Sequence, residues 1–203
     1  MKEYVLISLG EMLSNGFSED KIEEVFKKFS CQRETDLEDF LIHKAIAYEK
    51  ANYGKTSLFI DKEKLEQGEL VIMAYFTIAN TAIDIRELSI KKRRRVIGEY
   101  PGRDRLSAIS TYLIGQLGRC DAYSSEDLGG GQILKECYST ISTAAQIIGG
   151  KFIVLECREQ MFSKFYQKEG FSKLYKDLNE EGLYTLIKKV DFTEYWNRWS
   201  VAI

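Results

Sequence analysis

Residues 113–119 read Leu-Ile-Gly-Gln-Leu-Gly-Arg, 129–134 read Gly-Gly-Gly-Gln-Ile-Leu, 152–155 read Phe-Ile-Val-Leu, and 165–171 read Phe-Tyr-Gln-Lys-Glu-Gly-Phe. The first and third are apolar runs of strand length, rich in Ile, Val, Leu and Phe. Between them a glycine cluster opens a long helical periodicity over residues 132–148. Strand, glycine loop, helix, strand is an anion-binding order. A glycine-lined turn lets backbone N–H groups at a helix start face a phosphate, and the helix dipole favours negative charge there. Parallel strands joined by a helix also leave a crevice at their carboxyl ends, where ligands settle.

Upstream, residues 3–29 hold two short helical patterns broken at Asn15-Gly16, with Ser18 as N-cap to a face of Ile22, Val25, Phe26 and Phe29. Residues 29–31 read as a brief strand. Thr35-Asp36-Leu37-Glu38 has the form of a capping box, opening a helix that Tyr53-Gly54 ends. Residues 56–61 and 70–79 read as an antiparallel hairpin turned at Gln67-Gly68. Residues 83–105 are polar and irregular and hold the one proline, Pro101; loops of that length often carry function. Strands at 112–117, 152–156 and 184–190 and a helix at 161–168 follow, then an aromatic tail, 192–203, with Tyr195, Trp196 and Trp199. No repeat or linker divides the chain, so the sequence predicts one domain over residues 1–203, its core at about 36–190. The class is α/β, a mixed sheet flanked by helices.

The composition narrows the function. Of 203 residues, 44% are hydrophobic and 30% charged, as in ordinary globular domains. No apolar run approaches the ~18 residues that span a bilayer, and Met1-Lys2-Glu3-Tyr4 makes a poor signal peptide. Cys31, Cys120, Cys137 and Cys157 lie far apart with only His43 to join them, which speaks against zinc and for reduced thiols in a cytoplasmic protein. The net charge of −2 hides an uneven distribution. Residues 1–40 carry five basic and ten acidic side chains, whereas residues 91–105 carry seven basic and two acidic, led by Lys91-Lys92-Arg93-Arg94-Arg95. Such a run is most simply a solvated helix face, and otherwise a patch for phosphates.

The order of these segments resembles the acetyl-CoA-binding core of the GNAT acetyltransferase superfamily. Gly129 and Gly131 take the glycine places of its Gln/Arg-x-x-Gly-x-Gly/Ala loop, with Glu126 where the family has Gln or Arg. Phe165-Tyr166 followed by Gly170-Phe171 matches the family's aromatic-Tyr-x-x-x-Gly-Phe segment, whose tyrosine is commonly the general acid. Upstream of it, Glu159 and Phe162 stand where the family often has Asn and Ala, so no asparagine contact carries over. Leu117-Gly118-Arg119, Ala144-Ala145 and Ile148-Gly149 are similar to the GNAT toxins of toxin–antitoxin pairs, which acetylate aminoacyl-tRNA.

The resemblance implies a mostly antiparallel GNAT-like sheet in which a splayed parallel strand pair binds acetyl-CoA. Leu117, Gly118, Arg119 and Cys120 would line the pantetheine and offer amides to an oxyanion. Gly129, Gly130, Gly131 and Gln132 would hold the diphosphate. Tyr166 would protonate the departing thiolate, its phenol remaining a donor at neutral pH. Glu156, at the end of its strand, is the candidate base for the acceptor amine, and a carboxylate needs burial or a water relay to serve. Arg93, Arg94 and Arg95 would take RNA phosphates if the acceptor is charged tRNA. An antitoxin partner belongs to the same resemblance, and the oligomeric state, a homodimer among the options, stays open. Two other classes stay open at this stage: a non-catalytic acyl-CoA-binding or interaction protein that keeps the fold, and an RNA-binding protein using residues 91–105.

Overall fold

The computed structural model describes residues 1–98 and 102–196; Tyr100, Pro101 and Trp199 lie outside them. Among the described residues, seven strands form a mixed sheet in the order β1-β2-β3-β4-β5-β7-β6. β1 (Tyr4–Ser8), β2 (Lys55–Asp61), β3 (Ile72–Asp84), β4 (Ala108–Arg119), β5 (Phe152–Cys157), β6 (Ser172–Lys173) and β7 (Tyr184–Lys189) are its members. β4 and β5 run parallel; β1–β2, β2–β3, β5–β7 and β6–β7 pair antiparallel. The chain divides into two compact units, Met1–Ala79 with Gly115–Cys137, and Asn80–Ile114 with Tyr138–Ile203.

In the first unit, β1 pairs with β2 from Tyr4↔Asp61 to Ser8↔Ser57. The predicted helical pattern at residues 3–14 therefore begins as a strand, and only α1 (Leu9–Ser14) is helical. Ser8 makes the switch: its hydroxyl accepts from the Glu11 amide while Glu11 accepts from the Ser8 amide, a reciprocal capping box. The capping box expected at Thr35 does not form. Glu34 is the N-cap of α3 (Thr35–His43), and the Glu38 carboxylate accepts the Cys31 amide at 2.9 Å instead. Residues 29–31 form no strand. α2 (Glu19–Phe26) and α3 bury Ile22, Phe26, Phe40 and Leu41 with Leu58, Ile60 and Tyr75. The helix expected to run to about Asn52 breaks at Lys44 into α3 and α4 (Ala45–Lys50). The hairpin turn at Gln67-Gly68 follows a further short helix, α5 (Lys62–Glu66), capped by Asp61.

The second unit replaces the predicted irregular loop with order. β3 runs to Asp84, and residues 90–97 form α6 (Ile90–Ile97), capped by the Ser89 hydroxyl on the Lys92 amide. Val96, Ile97, Leu88 and Ile85 then pack with Ile109, Phe152, Val154 and Ile187. β4 and β5 are in register at Tyr112↔Ile153 and Leu113↔Val154, and β5 pairs with β7 from Phe152↔Lys189 to Cys157↔Tyr184. α7 (Gly130–Ile148) is the helix expected from the central periodicity. The helix predicted at 161–168 is a single turn, α8 (Glu159–Met161), followed by a five-residue π turn, Phe162–Tyr166. In the tail, α9 (Thr193–Trp196) places the Tyr195 ring edge-on to Tyr138 at 6.0 Å.

Candidate functional site

The glycine loop is built entirely within the first unit. β4 ends at Arg119, and the Cys120 amide donates to the Met73 carbonyl at 2.9 Å. Gly118 is buried because α3 passes over it: a Cβ there would sit 2.9 Å from Leu37 Cδ1. A chain of short bonds then shapes residues 120–129. Tyr123 donates its hydroxyl to Asp61, and the Asp127 carboxylate accepts from both the amide and the hydroxyl of Ser124 at 2.8 Å. The Leu128 amide returns to the Ser124 carbonyl, and the Arg119 guanidinium donates to the Leu128 carbonyl at 2.8 Å. Arg119 thus clamps the residue just before Gly129. The Gly129 carbonyl accepts from the Gln132 and Ile133 amides, which starts α7 and leaves the first-turn N–H groups at Gly130 and Gly131 without an intrahelical acceptor. A Cβ at Gly129 would meet only the Ser125 carbonyl at 3.6 Å, so the packing of the loop does not demand glycine there. A 19-residue helix whose start is open and glycine-lined suits a diphosphate. Gln132 is differently engaged: its amide group donates to Tyr4 and to Glu136. Glu126 is exposed.

Asp61, beneath this loop, is 1% exposed. Burial alone would raise its pKa, but hydrogen bonds from Tyr123, the Lys64 amide and Lys2 outweigh that and hold the carboxyl below its ordinary range. Burial, together with the same carboxylate, pushes the Tyr123 phenol up. Sequence reasoning passed over Ser124-x-x-Asp127 and Asp61. The first was detectable as a local Ser-x-x-Asp cap pattern ahead of an apolar helix; the second had no local signal.

In the second unit Tyr166 is buried, its ring edge-on to Phe165 at 4.9 Å and Phe171 at 5.6 Å. The turn that carries it is closed by two long-loop bonds, Gln167 amide to Phe162 carbonyl at 2.9 Å and Phe171 amide to Tyr166 carbonyl at 3.0 Å. π turns are rare and concentrate at functional sites. Gly170, at φ +86, takes the left-handed conformation that lets the chain double back into Phe171. Glu156 stands exposed on β5, its carboxylate accepting from the Thr185 hydroxyl at 3.2 Å. Cys157 and Cys120 are buried.

The basic run splits in two. Arg93 donates to the carbonyls of Arg86, Leu88 and Leu106, and Arg103 donates to that of Gly98, so both guanidinium groups tie α6 to its surroundings. Lys91, Arg94 and Arg95 are exposed, and with Lys176 they form no ion pair among the described residues. Partial burial lowers the pKa of Lys92, and the nearby charges of Arg95 and Lys176 lower it further. Lys176 is a member of this cluster that the sequence did not suggest, because it lies on a distant stretch of the chain.

No family model matches the sequence, and no curated protein matches it. Solved structures do. AtaT complexed with acetyl-methionyl-tRNAfMet superposes at TM-score 0.63 and 13% identity, over 90% of this chain and 94% of that one. AtaTR bound with acetyl-CoA gives 0.65 and 15% identity over 98% of this chain and 100% of that one. A tyrosine-to-phenylalanine mutant of the AtaT toxin bound to the C-terminus of the antitoxin AtaR gives 0.63 and 12%, over 98% and 99%. At such coverage and such low identity, what is shared is the backbone: the chain has the fold of the GNAT toxins of toxin–antitoxin systems.

Proposed function

We propose that the protein is an acetyl-CoA-dependent N-acetyltransferase, a single cytoplasmic GNAT-like domain whose acceptor is the amino group of an aminoacyl-tRNA. The observation that carries the reading is the glycine loop, clamped by Arg119 and opening onto the free first-turn amides of a long helix. Those amides, at Gly130 and Gly131, together with that of Gly129 just before the helix, would hold the diphosphate, and the backbone of Leu117, Gly118, Arg119 and Cys120 the pantetheine. Acetyl-CoA supplies the activated acyl group. Tyr166 holds a proton on its phenolic oxygen for the departing sulfur, and its buried ring fixes where that oxygen points. Glu156 is exposed, so it takes the acceptor's proton through water. The exposed cations Lys91, Arg94, Arg95 and Lys176 supply phosphate contacts for tRNA, the acceptor class carried by the AtaT complex. An antitoxin partner follows from the same likeness.

The test separates binding from turnover. Acetyl-CoA affinity is measured by calorimetry, and acetylation of charged tRNA is compared with that of free amino acids and polyamines. Tyr166→Phe is expected to keep acetyl-CoA affinity and lower kcat by about 10²–10⁴-fold. Tight binding with no turnover on any amine would instead identify a non-catalytic acyl-CoA-binding protein. Turnover of small amines with none on charged tRNA would remove the tRNA reading.

A further inference from the structure

Lys173 has more partners than a surface lysine needs. It lies on β6, two residues beyond Phe171, and its ammonium donates to Glu159 Oε2 at 2.7 Å. The same nitrogen lies 3.4 Å from the centre of the Tyr184 ring and 4.9 Å from that of Phe162. Glu159 opens α8 and Phe162 opens the π turn that ends at Tyr166. One cation therefore joins β6, β7 and the first residues of the segment carrying the tyrosine. Its side chain is 27% exposed, shielded enough for cation–π attraction to exceed its surface value. The bond to Glu159 raises the Lys173 pKa and, in return, lowers that of Glu159, so both stay charged at neutral pH.

A π turn is held by few and poorly aligned backbone bonds, so its geometry depends on what packs against it. Here the far end is fixed by the Phe171 amide on the Tyr166 carbonyl and by the Tyr166–Phe171 ring contact. The near end is fixed by Lys173. Residues 159–173 thus form a loop whose start is tied to Lys173 on β6 and whose far end is fixed by Phe171, just ahead of that strand. We infer that Lys173 is a positioning residue for Tyr166, clasping the π turn so that the phenol is held in one orientation before substrate binds. The inference deepens the proposed acetyltransferase reading and rests on it for the role of Tyr166. The clasp itself rests on the contacts alone. It also gives Glu159 and Phe162 a use: they stand where the GNAT family often has Asn and Ala, and here they receive the lysine.

The test compares wild type, Lys173→Met, Lys173→Arg and Glu159→Gln by amide hydrogen exchange and by kinetics. Lys173→Met keeps the stem and removes the charge. Protection of the Gln167 and Phe171 amides, which close the turn, is expected to fall at least ~10-fold in Lys173→Met and less in Glu159→Gln, while the β5–β7 amides stay protected. kcat is expected to fall about 10-fold with acetyl-CoA affinity within twofold, and Lys173→Arg is expected to restore most of both. Unchanged exchange at Gln167 and Phe171 in Lys173→Met would overturn the clasp, whatever the kinetics. Lost protection with unchanged kcat would overturn the positioning role. Should Lys173→Met lose protection across β5 and β7 as well, Glu159→Gln carries the same two readouts. If wild type turns over no amine at all, the acetyltransferase reading fails while the exchange result still decides the clasp.

Discussion

Gly129→Val probes the proposed phosphate loop with little cost to the fold. A Cβ at this position would rest 3.6 Å from the Ser125 carbonyl, an ordinary contact, and no left-handed φ holds the residue as glycine. Its carbonyl, which starts α7 by accepting from Gln132 and Ile133, is untouched by the substitution. The remaining structural cost is the poorer helix start of Val relative to Gly, about 1 kcal/mol or less. In a chain of this size that lowers Tm by roughly 2–4 °C at most. The functional cost is larger. A branched side chain keeps a diphosphate from approaching the adjacent amides, and each bond to a charged partner contributes about 1.5–3 kcal/mol. Loss of one such bond weakens acetyl-CoA binding by about 10- to 100-fold. Calorimetry with acetyl-CoA and with acetyl-pantetheine, which shares the thioester and lacks the diphosphate, localises the effect. The penalty is expected for the first ligand alone. An unchanged acetyl-CoA Kd in a variant with intact Tm would refute the loop as the phosphate site.

Two further outcomes follow from the charged groups. Arg94→Ala/Arg95→Ala is expected to flatten the salt dependence of tRNA binding by about two units of log–log slope, since each lost phosphate contact removes about one released counterion. Arg93→Ala is expected to lower Tm instead, because its guanidinium serves three backbone carbonyls; a full loss of slope in Arg93→Ala with unchanged Tm would reverse the assignment. Asp61 has its folded pKa held below that of the unfolded chain, so its stabilisation is complete above about pH 4 and is lost as pH falls through the folded value. Asp61→Asn is therefore expected to be less stable than wild type at pH 7, by about 1–3 kcal/mol, and the two melting curves are expected to converge below about pH 4. A gap that stays constant from neutral to strongly acidic pH would show that the carboxylate's charge contributes nothing.

The central segment was legible because its signals are local. A helix period over residues 132–148 after three glycines, and apolar runs of strand length on either side, need no partner to be recognised. The start of the chain was not. Tyr4-Val5-Leu6-Ile7-Ser8 is apolar without alternation, and only the pairing with residues 57–61 makes it a strand. Pairing partners so far along the chain are invisible to a window of about a dozen residues, and strand formation depends on such packing more than on intrinsic preference. The capping box went to the wrong residue for a related reason. Thr35-x-x-Glu38 has the right letters, but the Cys31 amide, brought near by the preceding turn, competes for the same carboxylate and wins it.

At the site the same division separates residue identity from residue role. Tyr166 was marked by its motif, and the structure buries its ring, yet the π turn beneath it leaves no trace in composition, because π and α turns use the same residues. Arg93, Arg94 and Arg95 are chemically identical neighbours, and a charge run treats them alike. Helical geometry does not, since successive residues point about 100° apart. One guanidinium turns inward to carbonyls contributed from residues 86, 88 and 106, and two remain in solvent. Of the three arginines expected at phosphates, Arg93 is engaged with backbone carbonyls while Arg94 and Arg95 are exposed, and the fold brings Lys176 near Lys92 from a different part of the chain. Arg95 and Lys176 both lie close enough to Lys92 to lower its pKa, after burial, which lowers it most. Like charges gathered with no ion pair among the described residues would be relieved by a polyanion, which is why the salt dependence of binding is the property expected to change in Arg94→Ala/Arg95→Ala.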